Sequence, residues 1–225
     1  MTDGASAGFT EYLAGLISPH RRERVEQVLA HRTRWLTAVL EDVYQPHNAS
    51  AVLRSCEALG LQDVHVIESR NRYQVNPQVD LGASRWLTVR RYPDLANCVQ
   101  ALRERGYRLL AASPHEDGQQ PEQVEVSRPL AVLLGTEEEG LSPAAVAAAD
   151  GCVRVPMYGF TESLNVSVCA ALILRALSRR LRLEPTPWEL TESERAELRL
   201  EWYRRSVRGA DLLEARFRED EPDPA

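Results

Sequence analysis

An α/β fold with a mostly parallel sheet and helices on both faces is predicted by two features of the sequence. Runs of strand length recur between helical patterns, as at Trp35 to Leu40, Tyr107 to Ala112 and Pro129 to Leu134. These runs stay largely apolar instead of alternating, the pattern of strands covered on both sides. A third observation bounds the size: 225 residues, 44% hydrophobic and 27% charged, suit one core with appendages.

Each element has a local reason. Val25, Val28 and Leu29 stand at helical spacing in the arginine-rich Pro19 to Thr33, so one amphipathic helix is expected in the N-terminal arm. Trp35 to Leu40 reads as a buried strand. Pro46-His47-Asn48 is expected to break the chain before a helix carrying Ala51, Val52, Ser55, Ala58 and Leu59, which stops at Gly60. Asp63 to Glu68 is the next strand, and a polar stretch separates it from another at Trp86 to Arg91. Pro93 to Arg105 reads as a helix ended by Gly106, with strands following at Tyr107 to Ala112 and Pro129 to Leu134. Ser142 with Pro143 opens a short helix to Ala149, Cys152 to Val155 is a strand, and a long helix runs from about Leu164 to Leu181. Glu184-Pro185-Thr186-Pro187 reads as a hinge. Thr191 to Glu194 is a capping pattern for a helical extension anchored by Leu198, Trp202, Val207, Leu212 and Leu213. The expected organisation is a helical arm at 1–34, an α/β domain at 35–183, a helical extension at 184–218 and a disordered acidic tail at 219–225.

Composition excludes several classes of function. No apolar run approaches the roughly 20 residues that span a bilayer, and the first ten residues lack a signal pattern, so a cytoplasmic protein without a membrane partner is expected. Cys56, Cys98, Cys152 and Cys169 form no CxxC pair, which argues against a zinc knuckle or a disulfide framework. All 27 basic residues are arginine, so lysine bases, Schiff bases and P-loop lysines are excluded. The net charge of −6 speaks against nucleic acid until its distribution is considered. Ser18 to Trp35 carries five arginines against two glutamates, and Arg175 to Leu183 carries four arginines with no acid. Such clusters are phosphate-binding arms or solvated helix faces, and charge alone leaves both readings open.

Ligands of parallel α/β sheets bind beyond the carboxyl ends of strands, which directs attention to three segments. In Pro46 to Gly60, Asn48 either caps the helix or lies on it, and Arg54 needs an anion or an ion-pair partner such as Glu57 at i+3. Leu133 to Ser142 holds Gly135 and Gly140 with Glu137, Glu138 and Glu139 between them. Without a GK[ST] ending this is not a P-loop, and its charge suits a neutral or cationic small molecule better than a triphosphate. The carboxylates can hold Mg²⁺ or simply face water. Val155 to Val168 leads Thr161, Glu162, Ser163 and Asn165 into an apolar helix, either as a ligand-gripping turn or as an ordinary cap.

The three segments NASAVLRSCEALG, LLGTEEEGLS and VPMYGFTESLNVSVCAALIL resemble, in order and spacing, the motifs of the SpoU/TrmH branch of the SPOUT methyltransferases. The resemblance covers roughly Trp35 to Leu183. It implies a SPOUT fold with a C-terminal trefoil knot, a homodimer, and S-adenosylmethionine bound in the knot. The implied activity is methyl transfer to a ribose 2'-hydroxyl of tRNA at guanosine-18, with ribosomal RNA or a catalytically inactive RNA-binding role as alternatives. By position in the motifs, Arg54, Asn48, Glu137, Ser163 and Asn165 correspond to the functional polar set, and Ala112, Gly135, Val155 and Leu164 to the cofactor pocket. No metal is implied. The chain departs from the family pattern at Glu138, Glu162 and Ala112, where lysine, glutamine and threonine are frequent.

Overall fold

The computed structural model describes residues 3–114 and 118–220. In chain order the elements are α1 (Asp3–Leu16), α2 (Pro19–Leu29), β1 (Leu36–Glu41), α3 (Pro46–Ala58), β2 (Asp63–Ile67), α4 (Pro77–Asp80) and β3 (Thr88–Tyr92). There follow α5 (Leu95–Glu104), β4 (Arg108–Ala112), β5 (Leu130–Leu134), α6 (Pro143–Ala148), β6 (Gly151–Val153), α7 (Val166–Leu181), α8 (Glu192–Ser206) and α9 (Ala210–Asp220). They divide into two compact units: Thr33–Trp188, and the residues up to Arg32 together with those from Glu189 onward.

The unit Thr33–Trp188 is the expected α/β fold. Its sheet has the order β3-β2-β1-β5-β4-β6, and every neighbouring pair is parallel. Successive side chains of a strand point to opposite faces. Leu36, Ala38 and Leu40 of β1 therefore pack with α3 (Val52, Leu53, Cys56) and α7 (Ile173, Leu174, Leu177), while Val39 packs on the other face with Cys98 and Leu102 of α5 and Ala145 of α6. The chain turns back at β1 and β5, which pair through Leu40 and Leu134. Sheets of this kind hold ligands beyond the carboxyl ends of their strands.

Several local expectations are corrected. Pro46 does not break the chain but occupies the first turn of α3, because its missing N–H is one that a helix start leaves unpaired anyway. Asn48 is consequently inside the first turn, and the cap position belongs to Gln45. The strand expected at Trp86 begins at Thr88, after a 3₁₀ turn at Ser84–Trp86. The long helix starts at Val166, with Asn165 as its cap. The caps at Ser142 and Thr191 form as expected, the latter as a reciprocal box with Glu194.

In the other unit the arm holds two helices rather than one, α1 and α2. Phe9 and Leu13 of α1, Val25 and Leu29 of α2, and Leu198, Trp202 and Tyr203 of α8 are buried. Arg199 grips Glu26 with two hydrogen bonds of 2.6 and 2.9 Å. Arg32 is 1% exposed, with its guanidinium 5.2 Å from the Trp202 ring. Of the tail expected at 219–225, residues 221–225 lie outside the described residues, whereas Glu219 belongs to α9.

The arginine excess near Ser18 to Trp35 is partly consumed by the fold. Arg34, with Arg90 and Arg105, surrounds the Asp63 carboxylate at 3.2, 3.4 and 3.0 Å. Burial opposes ionisation of Asp63, but the three guanidinium groups outweigh it and hold its carboxyl below the usual range. The second cluster is also divided: Arg180 pairs with Glu184, and Arg182 stacks on Trp188 at 4.6 Å. Arg175 and Arg179 are exposed.

Candidate functional site

The three motif segments meet at the carboxyl edge of the sheet. The loop after β5 is folded on itself: Thr136 N donates to Gly140 O at 2.9 Å and Gly140 N to Thr136 O at 3.1 Å. Gly140 has φ +69°, which suits glycine. A Cβ at Gly135 would lie 2.1 Å from the Gly140 carbonyl carbon, so the glycine is required by the loop's own backbone. The three glutamates do not form one carboxylate cluster. Glu138 accepts from Tyr44 Oη at 3.2 Å, Glu139 pairs with Arg70 at 2.8 Å, and Glu137 turns to α3.

Asn48, 4% exposed, ties the segments together. Its Nδ2 donates to Glu137 Oε1 at 2.5 Å, and its Oδ1 accepts from Asn165 Nδ2 at 3.1 Å. Asn165 Oδ1 in turn accepts from Ser167 N at 2.9 Å and Ser167 Oγ at 2.6 Å, capping α7. One chain of hydrogen bonds thus joins residues 117 positions apart. Glu137 Oε2 is buried with no hydrogen-bond partner among the described residues, an acceptor whose desolvation they leave uncompensated.

Beside this network lies a cleft of about 410 Å³, within the usual range of small-molecule sites. The expected cofactor residues Ala112, Gly135, Val155 and Leu164 all line it, as do Glu137, Ser163 and Asn165. Asn48 is bonded to two of its lining residues. Arg54 does not line the cleft; it is exposed on α3 and makes no hydrogen bond or ion pair among the described residues, so Glu57 is not its anchor. Six positions from Asn48 place it about 9 Å further along the helix axis. Gly140, Met157 and Cys169 also line the cleft and were not assigned to it by sequence reasoning. Only Gly140 carried a signal, its spacing from Gly135. Burial pushes the Cys169 thiol above its ordinary pKa, so it stays protonated and acts as apolar wall.

Residues 36–175 match the SpoU rRNA Methylase family. The chain belongs to that family. The tRNA (guanosine(18)-2'-O)-methyltransferase of Borreliella burgdorferi is 40% identical to it over 90% of this chain and 93% of the relative. Among solved structures, the A. aeolicus TrmH/SpoU tRNA modifying enzyme superposes with a TM-score of 0.76 at 26% identity, covering 84% of this chain and 97% of that one. AviRb of Streptomyces viridochromogenes, solved in complex with AdoMet, shares the fold with a TM-score of 0.61 at 23% identity, over 70% of this chain and 65% of its own. The loop after β5, the N-terminal turn of α3 and the cap of α7, joined here through Asn48, all lie within the matched residues 36–175.

The residues present fit S-adenosylmethionine. Leu134, Val155, Val166 and Cys169 offer an apolar surface for a purine. The carboxylates of the loop after β5 favour a cationic sulfonium over a polyphosphate, and the buried Glu137 Oε2 is left free to accept a hydrogen bond.

Proposed function

We propose that the protein transfers the methyl group of S-adenosylmethionine to the 2'-hydroxyl of a tRNA ribose, with guanosine-18 as the target. The observation that carries this reading is the Asn48–Asn165–Glu137 network at the rim of the cleft, which brings the three family motifs together. The cofactor, when bound, supplies an electrophilic methyl carbon. Val155 and Leu164 hold it by apolar contact, and the network fixes the rim against which the ribose settles. The exposed Ser163 and Asn165 supply polar groups for ribose and phosphate. Arg54 does not act as a base, because a guanidinium keeps its proton in proteins. It stabilises the developing alkoxide and grips the adjacent phosphate, while the proton leaves to that phosphate or to water.

Arg54 lies outside its own cleft, so a second subunit completes the site in this reading. The homodimer is supported by α7, on which Val168 and Leu172 are 47% and 48% exposed one turn apart. Light scattering at micromolar protein is expected to give twice the chain mass without cofactor; a monomer contradicts the dimer. The trefoil knot belongs to the same reading. It is supported by the path of the chain, which leaves β6 at the sheet edge and returns to pack α7 against α3 and β1. Among the described residues no helix is long and apolar enough to cross a membrane, and a tRNA substrate places the enzyme in the cytoplasm.

Residues 35–183 then form the methyltransferase domain, and the flanking helices at 1–34 and 184–218 help to hold tRNA. Because α1 and α2 pack against α8, deleting them would strip buried residues such as Trp202. Charge neutralisation is the cleaner test. Arg21 and Arg24 are exposed on α2. The Arg21→Ala/Arg24→Ala pair is expected to weaken tRNA binding and reduce the slope of log K against log salt by about 1.4 to 1.8, from 0.7 to 0.9 per lost phosphate contact. Cofactor affinity stays unchanged; an unaltered slope makes this a solvated helix face. Ribosomal RNA is the alternative substrate, in keeping with the description of the matched family as SpoU rRNA Methylase. Nucleoside mass spectrometry of a deletion strain separates the two: loss of 2'-O-methylguanosine from tRNA is expected, and loss from rRNA alone overturns the assignment.

A further inference from the structure

Between Met157 and Ser163 the chain leaves the wall of the cleft and returns to it. Both of these residues line the cleft, whereas Tyr158 to Glu162 are all exposed. Within that excursion Tyr158 is 96% exposed and Phe160 is 108% exposed. Aromatic rings bury large areas when they have a partner, so two bare rings in one short loop mark a contact surface. Their immediate neighbours Thr161, Glu162 and Ser163 are polar and exposed, which separates the rings along the chain from the apolar stripe of α7 that suits a second copy. The rings instead adjoin the cleft rim at both ends of the loop.

The chemistry of the acceptor indicates what they meet. A ribose whose 2'-oxygen must reach the cleft belongs to a nucleotide withdrawn from its stack, and its base loses stacking partners on leaving. Protein aromatic rings replace those partners with little regard to base identity, at about 1 to 3 kcal/mol per base. We propose that Tyr158 and Phe160 form the platform on which the base of the methylated nucleotide stacks, positioning its ribose over the cleft. The inference rests on RNA methyl transfer as the function.

The test uses the full-length protein, a tRNA transcript and a second transcript with 2-aminopurine at the target position. For Tyr158→Ala/Phe160→Ala the KM for tRNA is expected to rise about tenfold or more, each tenfold corresponding to about 1.4 kcal/mol. kcat should change less, and cofactor affinity by calorimetry and mass by light scattering should stay at wild-type values. Phe160→Tyr, which keeps a ring, should restore most of the KM. The 2-aminopurine emission of the bound transcript should be lower with wild type than with the double variant. A double variant with wild-type KM and emission overturns the proposal, as does a fall in mass, which would assign the rings to a contact between copies. Wild type that binds the cofactor but methylates no tRNA overturns the functional reading itself, and is read on the unmutated protein.

Discussion

Arg54→Ala is expected to abolish methyl transfer, lowering kcat at least about a hundredfold, which corresponds to about 2.7 kcal/mol in the barrier. Removal of one preorganised group that stabilises developing negative charge typically costs this much. The structure makes the expectation sharp, because Arg54 is exposed and makes no ion pair or hydrogen bond among the described residues, so its loss breaks no structural contact. Cofactor affinity and melting temperature should therefore stay near wild type. Arg54→Lys should rescue poorly, since an ammonium lacks the planar fork that grips a phosphate. A variant that keeps more than about a tenth of wild-type turnover, a loss under about 1.4 kcal/mol, removes Arg54 from the mechanism.

Gly135→Ala should act at the other partner of the reaction. The new Cβ would meet the Gly140 carbonyl carbon and oxygen at 2.1 Å, far inside contact distance, and Leu141 N at 2.2 Å. Backbone on both sides cannot rotate away, so the Thr136–Gly140 pairing opens and the loop that lines the cleft is displaced. S-adenosylmethionine affinity is expected to fall about a hundredfold, or about 2.7 kcal/mol, by calorimetry. Gly159→Ala is the matched control for cofactor binding: no atom of the described residues lies within 4 Å of its added Cβ, and cofactor affinity should be unchanged. Equal affinities for the two variants would show that the loop after β5 does not shape the cofactor site.

The strands were legible because burial on both faces leaves continuous apolar runs, and β1, β4 and β5 fall within a residue or two of their expected positions. Proline was the ambiguous letter: Pro46 opens a helix, while the same residue type closes others, and only the neighbouring chain decides which. The helix α1 was missed because its glycine and alanine residues dilute the spacing of Phe9 and Leu13. Local charge overstated the basic arms, since Arg34 is committed to Asp63, 29 positions away, and Arg32 is buried over Trp202. Of the candidate site, motif order singled out residues but said nothing of the connections between them. That Asn48 bridges Glu137 and Asn165, and that Gly135 answers to Gly140, depend on contacts between distant segments that no local pattern encodes.

The central claim is that this cleft delivers a methyl group to one ribose of tRNA. Its most direct test is incubation of the purified protein with unmodified tRNA transcript and S-adenosylmethionine carrying a labelled methyl group, followed by nuclease digestion and mass spectrometry of the fragments. The account predicts one labelled methyl per tRNA, located on the 2'-oxygen of guanosine-18 and lost with Arg54→Ala. Label on a base, or none on tRNA under conditions where the protein binds the cofactor, would contradict it.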